Sequence, residues 1–261
     1  MNPAQPAPFD VRLMNLTAAV LFVAVAVTGV ASGLWWVMRH PAFSIGAIVV
    51  QGDVAHNSAL TLRAQVAPRL SGNFFTLDLA AARAAFEAVP WVRTAIVQRE
   101  FPNRLRVRLQ EHEAVAYWGD ESDDRLVNRF GEVFEASAAD VESEDLPRLS
   151  GPDGQSAQVL QMYLALSPQF ASVGSVLETL ELSARGGWHA RLDSGAEIEL
   201  GRGALAEVVP RVQRFVRTLR QVAAQYGRTV ESVESADLRH GDGYALRLRG
   251  VTTLADAVKK P

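Results

Sequence analysis

The side chains that could do chemistry in this chain are scattered rather than gathered. Its five histidines are His40, His56, His112, His189 and His240, and no two stand at the spacing of a zinc-ligand pair. The nearest approach is His112-Glu113, but Ala116 occupies the position where a metalloprotease helix needs its second histidine. Gly201-Arg202-Gly203 and Gly241-Asp242-Gly243 are short glycine pairs that turn chemistry explains more simply than phosphate binding. No Gly-x-Ser-x-Gly nucleophile elbow is present; a serine triad assembled from distant residues leaves no trace in a sequence. Cysteine is absent, which removes disulfides, thiolate nucleophiles, Cys-bound zinc and iron–sulfur clusters. We therefore expect no enzyme, no cofactor and no metal.

What remains is recognition chemistry, carried mostly by arginine. Arg104, Arg106 and Arg108 alternate with Leu105, Val107 and Leu109, so they share one face of a half-buried strand, with Arg93 and Arg99 on its hairpin partner. Such a face either binds an anionic partner or is simply solvated, and Glu100 and Glu111 among the arginines favour the second. A net charge of −3 and a pI near 6.0 give no footprint for nucleic acid. A thiol-free chain suits an oxidising compartment such as a bacterial periplasm.

The elements that position these residues begin with an anchor. Leu13 to Met38 is an uncharged run of 26 residues closing on Trp35 and Trp36. As a helix it would extend about 39 Å, enough for a hydrocarbon core of ~30 Å. A cleaved signal peptide is the rival reading, since Gly29 and Ala31 are small. The apolar core, however, exceeds the usual h-region of about 7–15 residues, and Arg12 is the sole side-chain cation before it. The flanking charges, Arg12 and Asp10 against Arg39, orient the span only weakly. A twelve-residue tail is more simply left in the cytoplasm than the large domain, which places that domain outside.

The first soluble module reads as strand from Phe43 to Gly52, helix after Asn57 or Ser58, helix after Asp78, then strands Trp91 to Glu100 and Arg104 to Glu111 across the Phe101-Pro102-Asn103 turn. The order is β-α-α-β-β. The second module opens on a hairpin around Arg129-Phe130-Gly131, continues through a helix from Val159 that should stop near Pro168, and enters an antiparallel meander from Val176 to Leu200. A long amphipathic helix follows, its inner stripe running from Leu205 through Val208, Val212, Phe215, Leu219 and Val222 to Tyr226. Pro210 predicts that this helix truly begins there. A last strand alternates Tyr244, Leu246 and Leu248 with Ala245, Arg247 and Arg249. Either set could face the core.

With Trp91-Val92-Arg93, Phe101-Pro102-Asn103-Arg104-Leu105, Glu111 to Trp118, Trp188 to Gly203 and Ala236-Asp237-Leu238-Arg239 in this order, the chain resembles the FtsQ/DivIB family of bacterial cell-division proteins over roughly residues 11 to 249. The first module is similar to that family's POTRA domain, a polypeptide-docking unit. The resemblance implies an α+β chain: a cytoplasmic tail (1–12), one transmembrane helix (13–38), a POTRA domain (43–112), a mainly antiparallel β domain with a long helix in its C-terminal half (113–249), and a C-terminal tail (250–261). It implies a single-pass protein of the bacterial inner membrane, with its C-terminal domain periplasmic and at the division septum. There it would link early and late division proteins and help control septal wall synthesis. The implied partners are FtsB and FtsL on the β domain, and FtsK and other division proteins on the POTRA domain and span.

The implied partner-binding residues are Arg185, Arg239, His240, Asp242, Tyr244, Ala245, Leu246, Arg247 and Leu248, with an added partner strand on this edge and Arg185, Arg239 and Arg247 selecting an acidic partner. His240 and Leu248 depart from relatives that carry an aromatic residue and a tryptophan there, and Tyr244 would replace part of that surface. A POTRA-bearing component of protein transport or outer-membrane assembly is the alternative. It would need further POTRA repeats or a barrel of alternating strands, and neither is evident.

Overall fold

A computed structural model describes residues 9–52, 54–120, 122–136, 141, 146–241 and 243–251. The proline-bearing start, most of the C-terminal tail and the docking candidate Asp242 lie outside the described residues. The chain divides into two compact units between Glu111 and His112.

The first unit begins with α1 (Phe9–Met38), 30 residues long and without a buried residue. It starts four positions earlier than the uncharged run. It is the one helix among the described residues long and apolar enough to cross a membrane. The expected strand from Phe43 starts later. Pro41, with φ already fixed, opens a single 3-10 turn (Pro41–Phe43), capped by His40 Nδ1 accepting from the Ala42 N–H, and β1 (Ala47–Gly52) follows. Ser58 caps α2 (Ala59–Val66), and Asp78 caps α3 (Leu79–Glu87) by accepting from the Ala80 and Ala81 N–H groups. β2 (Val92–Glu100) and β3 (Arg104–Glu111) form the hairpin, and β1 joins β3 in parallel, so the order is β1-β3-β2. Leu62, Val66, Phe86, Val107 and Leu109 close the core between sheet and helices, leaving Arg104, Arg106 and Arg108 on the bare face.

The second unit is built on a nine-stranded sheet. Its strands are β4 (Ala114–Trp118), β5 (Arg125–Asn128), β6 (Val133–Glu135), β7 (Arg148–Ser150), β8 (Leu177–Leu182), β9 (Gly187–Leu192), β10 (Glu197–Arg202), β11 (Val233–Asp237) and β12 (Ala245–Leu248). They stand in the order β12-β11-β10-β9-β8-β7-β4-β5-β6. Pairing is mostly antiparallel, as expected, with parallel contacts at β4/β7, β7/β8 and β10/β11. A parallel pair needs a crossover, and α5 (Leu205–Gln225) supplies it between β10 and β11. α4 (Ser156–Ala171) lies between β7 and β8. Trp188, Phe170, Phe215, Leu180 and Ile198 are essentially without solvent contact in the core that both helices share with the sheet.

Both proline readings need correction. Pro168 sits inside α4, which runs on to Ala171, and Pro210 sits inside α5, which starts five positions earlier at Leu205. Leu166 and Phe170 are buried on either side of Pro168, and Val208 and Val212 on either side of Pro210. That burial outweighs one lost backbone bond per helix. The Arg211 guanidinium also donates to the Leu200 and Arg202 carbonyls, fastening the start of α5 to β10. The α5 stripe is buried at Val208, Val212, Phe215 and Leu219, whereas Leu205 and Tyr226 at its two ends are exposed.

Candidate functional site

β12 ends the nine-stranded sheet, and among the described residues it pairs with β11 alone. The direction of its backbone groups follows from one bond. The Arg249 N–H donates to the Ser232 carbonyl at 2.8 Å, toward the β11 side. Backbone groups alternate along a strand, so Arg247 and Ala245 also bond toward β11, and the N–H groups of Leu246 and Leu248 point outward. The sheet thus presents a short row of donors and acceptors along this edge.

The side chains settle which set faces inward. Leu248 is buried, Tyr244 and Leu246 pack against the core, and Ala245, Arg247 and Arg249 are exposed. Tyr244 is held by α5: its ring meets Phe215 edge-on at 5.0 Å, and its hydroxyl lies 2.8 Å from Thr218 Oγ1. Beyond the edge, Val222 and Tyr226 of α5 with Gly243, Tyr244, Leu246, Arg247, Leu248 and Val251 line a groove of about 640 Å³ with apolar side chains and a polar edge. An added strand would lie over this groove, with every second side chain directed into it.

The cationic candidates stand differently from one another. Arg239 follows β11 and forms a two-pronged pair with Asp237, Nε to Oδ1 at 2.9 Å and Nη2 to Oδ2 at 2.6 Å. The Arg239 guanidinium, helped by its own backbone N–H, holds the Asp237 carboxyl down to about 2. Arg247 pairs with Glu234 at 3.0 Å. Arg185 is exposed in the β8–β9 turn and makes no ion pair with a described residue. Arg239 and Arg185 belong to the same end of the sheet, because Gly201 packs beside Arg239 and is in register with Trp188, three positions after Arg185. His240 is exposed in the turn that Arg214 fastens by donating to the Gly241 carbonyl at 2.7 Å.

On the bare face of the same sheet, Glu181, His189, Glu199 and Asp237 form one cross-strand row. His189 Nε2 lies 3.1 Å from Glu199. Among the described residues no group of three His, Asp or Glu side chains could hold a metal ion. His112 stacks on Phe134 with centroids 4.1 Å apart.

Sequence reading missed one polar cluster. Asn57, considered as a helix cap, instead donates through Nδ2 to the Pro90 carbonyl (2.9 Å) and to Glu111 (3.1 Å). The Glu111 carboxylate also accepts from the His56 and Asn57 N–H groups, and the His56 ring stacks on Trp91 at 3.8 Å. Trp91 adopts a left-handed backbone, φ 68°. The cluster draws on three separate stretches of the chain, and no spacing signal links them.

Comparison with known proteins gives two family matches. Residues 43–112 match the FtsQ-type POTRA domain, and residues 116–239 match the C-terminal region of the cell-division protein FtsQ/DivIB, ending just before β12. The chain is 39% identical over 251 residues to the cell division protein FtsQ of Burkholderia pseudomallei, covering 96% of this chain and 98% of the relative. It is 41% identical to that of Thiomonas arsenitoxydans (94% and 89% covered) and 36% identical to that of Bordetella pertussis (92% of each).

Proposed function

The chain belongs to the FtsQ/DivIB family of bacterial cell-division proteins, and on that premise we propose that it is a single-pass adaptor of the inner membrane. Its N-terminus is cytoplasmic and its two soluble units are periplasmic. It works at the septum, where β12 docks FtsB, and FtsL with it, by strand addition, and so takes part in controlling septal wall synthesis. The observation that carries this reading is the open edge of β12 beside the α5 groove. Edge donors supply affinity, and the groove selects apolar side chains at alternate positions. Arg185, Arg239, His240 and Arg247 form the polar rim, Ala245 leaves the outward face of the strand open, and Tyr244, Leu246 and Leu248 are the apolar floor. Arg185 is the cation most ready for a partner carboxylate, since Arg239 and Arg247 already hold Asp237 and Glu234. Asp242, which lies outside the described residues, is included by its place in the sequence alone. FtsK and other division proteins would engage the POTRA unit and the span.

The test is binding of the full chain, in detergent, to the periplasmic segment of the same organism's FtsB, repeated with Leu246→Pro. That substitution removes an outward N–H and leaves the bonds toward β11 in place. We expect at least a tenfold loss of affinity with an unchanged circular dichroism spectrum, since one edge bond is worth about 0.5–1.5 kcal/mol and the ring also obstructs pairing. Unchanged affinity would move the interface away from β12.

A further inference from the structure

The first unit carries an apolar feature that its own core does not absorb. Four rings run in a chain across one end: Phe43 meets Phe75 at 4.9 Å, Phe75 meets Phe74 at 5.3 Å, and Phe74 meets Phe101 at 6.2 Å, all edge-on. Phe74 is buried, but Phe75 is 43% and Phe101 75% exposed. Phe101 stands at the tip of the β2–β3 hairpin and Phe75 in the loop before α3, so two separate elements each hold an aromatic ring out of the fold at the same end.

That end is where the chain leaves α1. The Asn73 side-chain amide donates to the carbonyl of Met38, the last residue of α1. The Phe74 N–H donates to the Phe43 carbonyl at 2.8 Å, and the Gly46 N–H donates to the Asn103 carbonyl at 2.9 Å. The Arg99 guanidinium holds the Phe74 carbonyl at 2.6 Å, tying the loop to the hairpin. These bonds fix the Phe75 loop and the Phe101 tip at the level of the last turn of α1. The same turn holds Trp35 and Trp36, and the Arg39 guanidinium lies 4.3 Å over the Trp35 ring. A helix that spans a bilayer places such a Trp and Arg turn among the lipid headgroups. Whatever is bonded to that turn sits at the same depth.

We propose that Phe75 and Phe101 are lipid anchors: the end of the POTRA unit nearest α1 rests on the bilayer surface, with both rings inserted below the headgroups. This rests on the reading of α1 as a membrane span. The occupant is the lipid interface because α1 brings it to this end of the unit, and because two aromatic rings in water would forgo burial that the bilayer provides. The anchor would hold the first unit against the membrane rather than let it swing on the short segment after Met38.

The absence of cysteine permits a clean test. The full chain is prepared with one nitroxide label at a time, at Phe75→Cys, Phe101→Cys or Arg104→Cys, the last beside the tip with all four rings intact. It is placed in nanodiscs of phosphatidylethanolamine and phosphatidylglycerol, and label relaxation is measured with oxygen and with a water-soluble nickel chelate. Labels at Val23→Cys, within α1, and Leu164→Cys, exposed on α4, set the lipid and water limits. The expected result is oxygen-favoured relaxation at 75 and 101, clearly beyond the Leu164 value and short of the mid-bilayer Val23 limit, with 104 nearer to water. Water-like values at 75 and 101, with Val23 lipid-like, would overturn the anchor. Shielding from both reagents would overturn it in favour of a protein contact. A water-like Val23 would overturn the span itself and the anchor with it.

Discussion

The two units use one construction at two sizes, and their bare sheet faces differ in charge, arginine-rich in the small sheet and mixed in the large one, where Arg191 and Arg247 stand beside the acidic row. Each sheet is covered by helices on one face only. In the small sheet the bare face shows Arg104, Arg106 and Arg108 on the central strand β3, and Arg106 pairs there with Glu100 at 2.7 Å. In the large sheet it shows Glu181, Glu199 and Asp237 in one row, with His189 between two of them. The difference lies also at the edges. The β12 edge of the large sheet opens on a groove beside α5. The arginines of the small sheet sit on a strand paired on both sides, so they can offer side chains but no backbone. The arginine strand is therefore closed to strand addition, which in the small sheet is left to the edges β1 and β2, and side-chain contact alone is what the arginine face can offer.

The comparison breaks most visibly at the cores. Phe86→Ala and Trp188→Ala should each cost about 3–5 kcal/mol, since both side chains are fully buried. If the two cores are separate, amide exchange should rise within the altered unit and stay near wild type in the other. Exchange rising equally in both would join them into one cooperative block.

A smaller effect separates the rim arginines. If the proposed docking holds, Arg185→Glu should weaken FtsB binding roughly tenfold, because it puts a like charge before the acidic partner that the proposal requires. Arg247→Ala should change it threefold or less, as an exposed pair such as Arg247–Glu234 contributes about 0–1 kcal/mol. Equal losses would deny Arg185 its distinct place.

The smallest effect is a titration. Asp237 is depressed from 3.8 to about 2, so its contribution to stability is fully present above about pH 4 and is lost as pH falls toward 2. Arg239→Ala should return the Asp237 carboxyl toward 3.8, followed by carbon-13 chemical shift. Stability differences between the two proteins should not vary between about pH 5 and 8.

Much of this was legible because period-two and helical patterns report which face is buried. Leu105, Val107 and Leu109 against three arginines announce β3, Asp78 announces the start of α3, and the start of α2 is legible only as Asn57 or Ser58, of which Ser58 is the cap. The same patterns are silent about neighbours. Nothing in β3 says that β1, some fifty residues earlier, will make it a central strand, and nothing in Tyr244 to Arg249 says which alternate set meets α5. Both proline readings failed because local backbone preference lost to the burial of an apolar helix face. The docking residues were read from resemblance, and the Asn57–Glu111 cluster joins positions too distant for any spacing rule.

The central claim is that FtsB adds a strand to β12, and amide exchange reads it most directly. With the full chain in nanodiscs and the periplasmic segment of FtsB in excess, the outward amides of Leu246 and Leu248 should become strongly protected, while those of Ala245 and Arg247, already bonded toward β11, change little. Unprotected amides at 246 and 248, with protection appearing instead along β1 or β2 of the POTRA unit, would contradict the account.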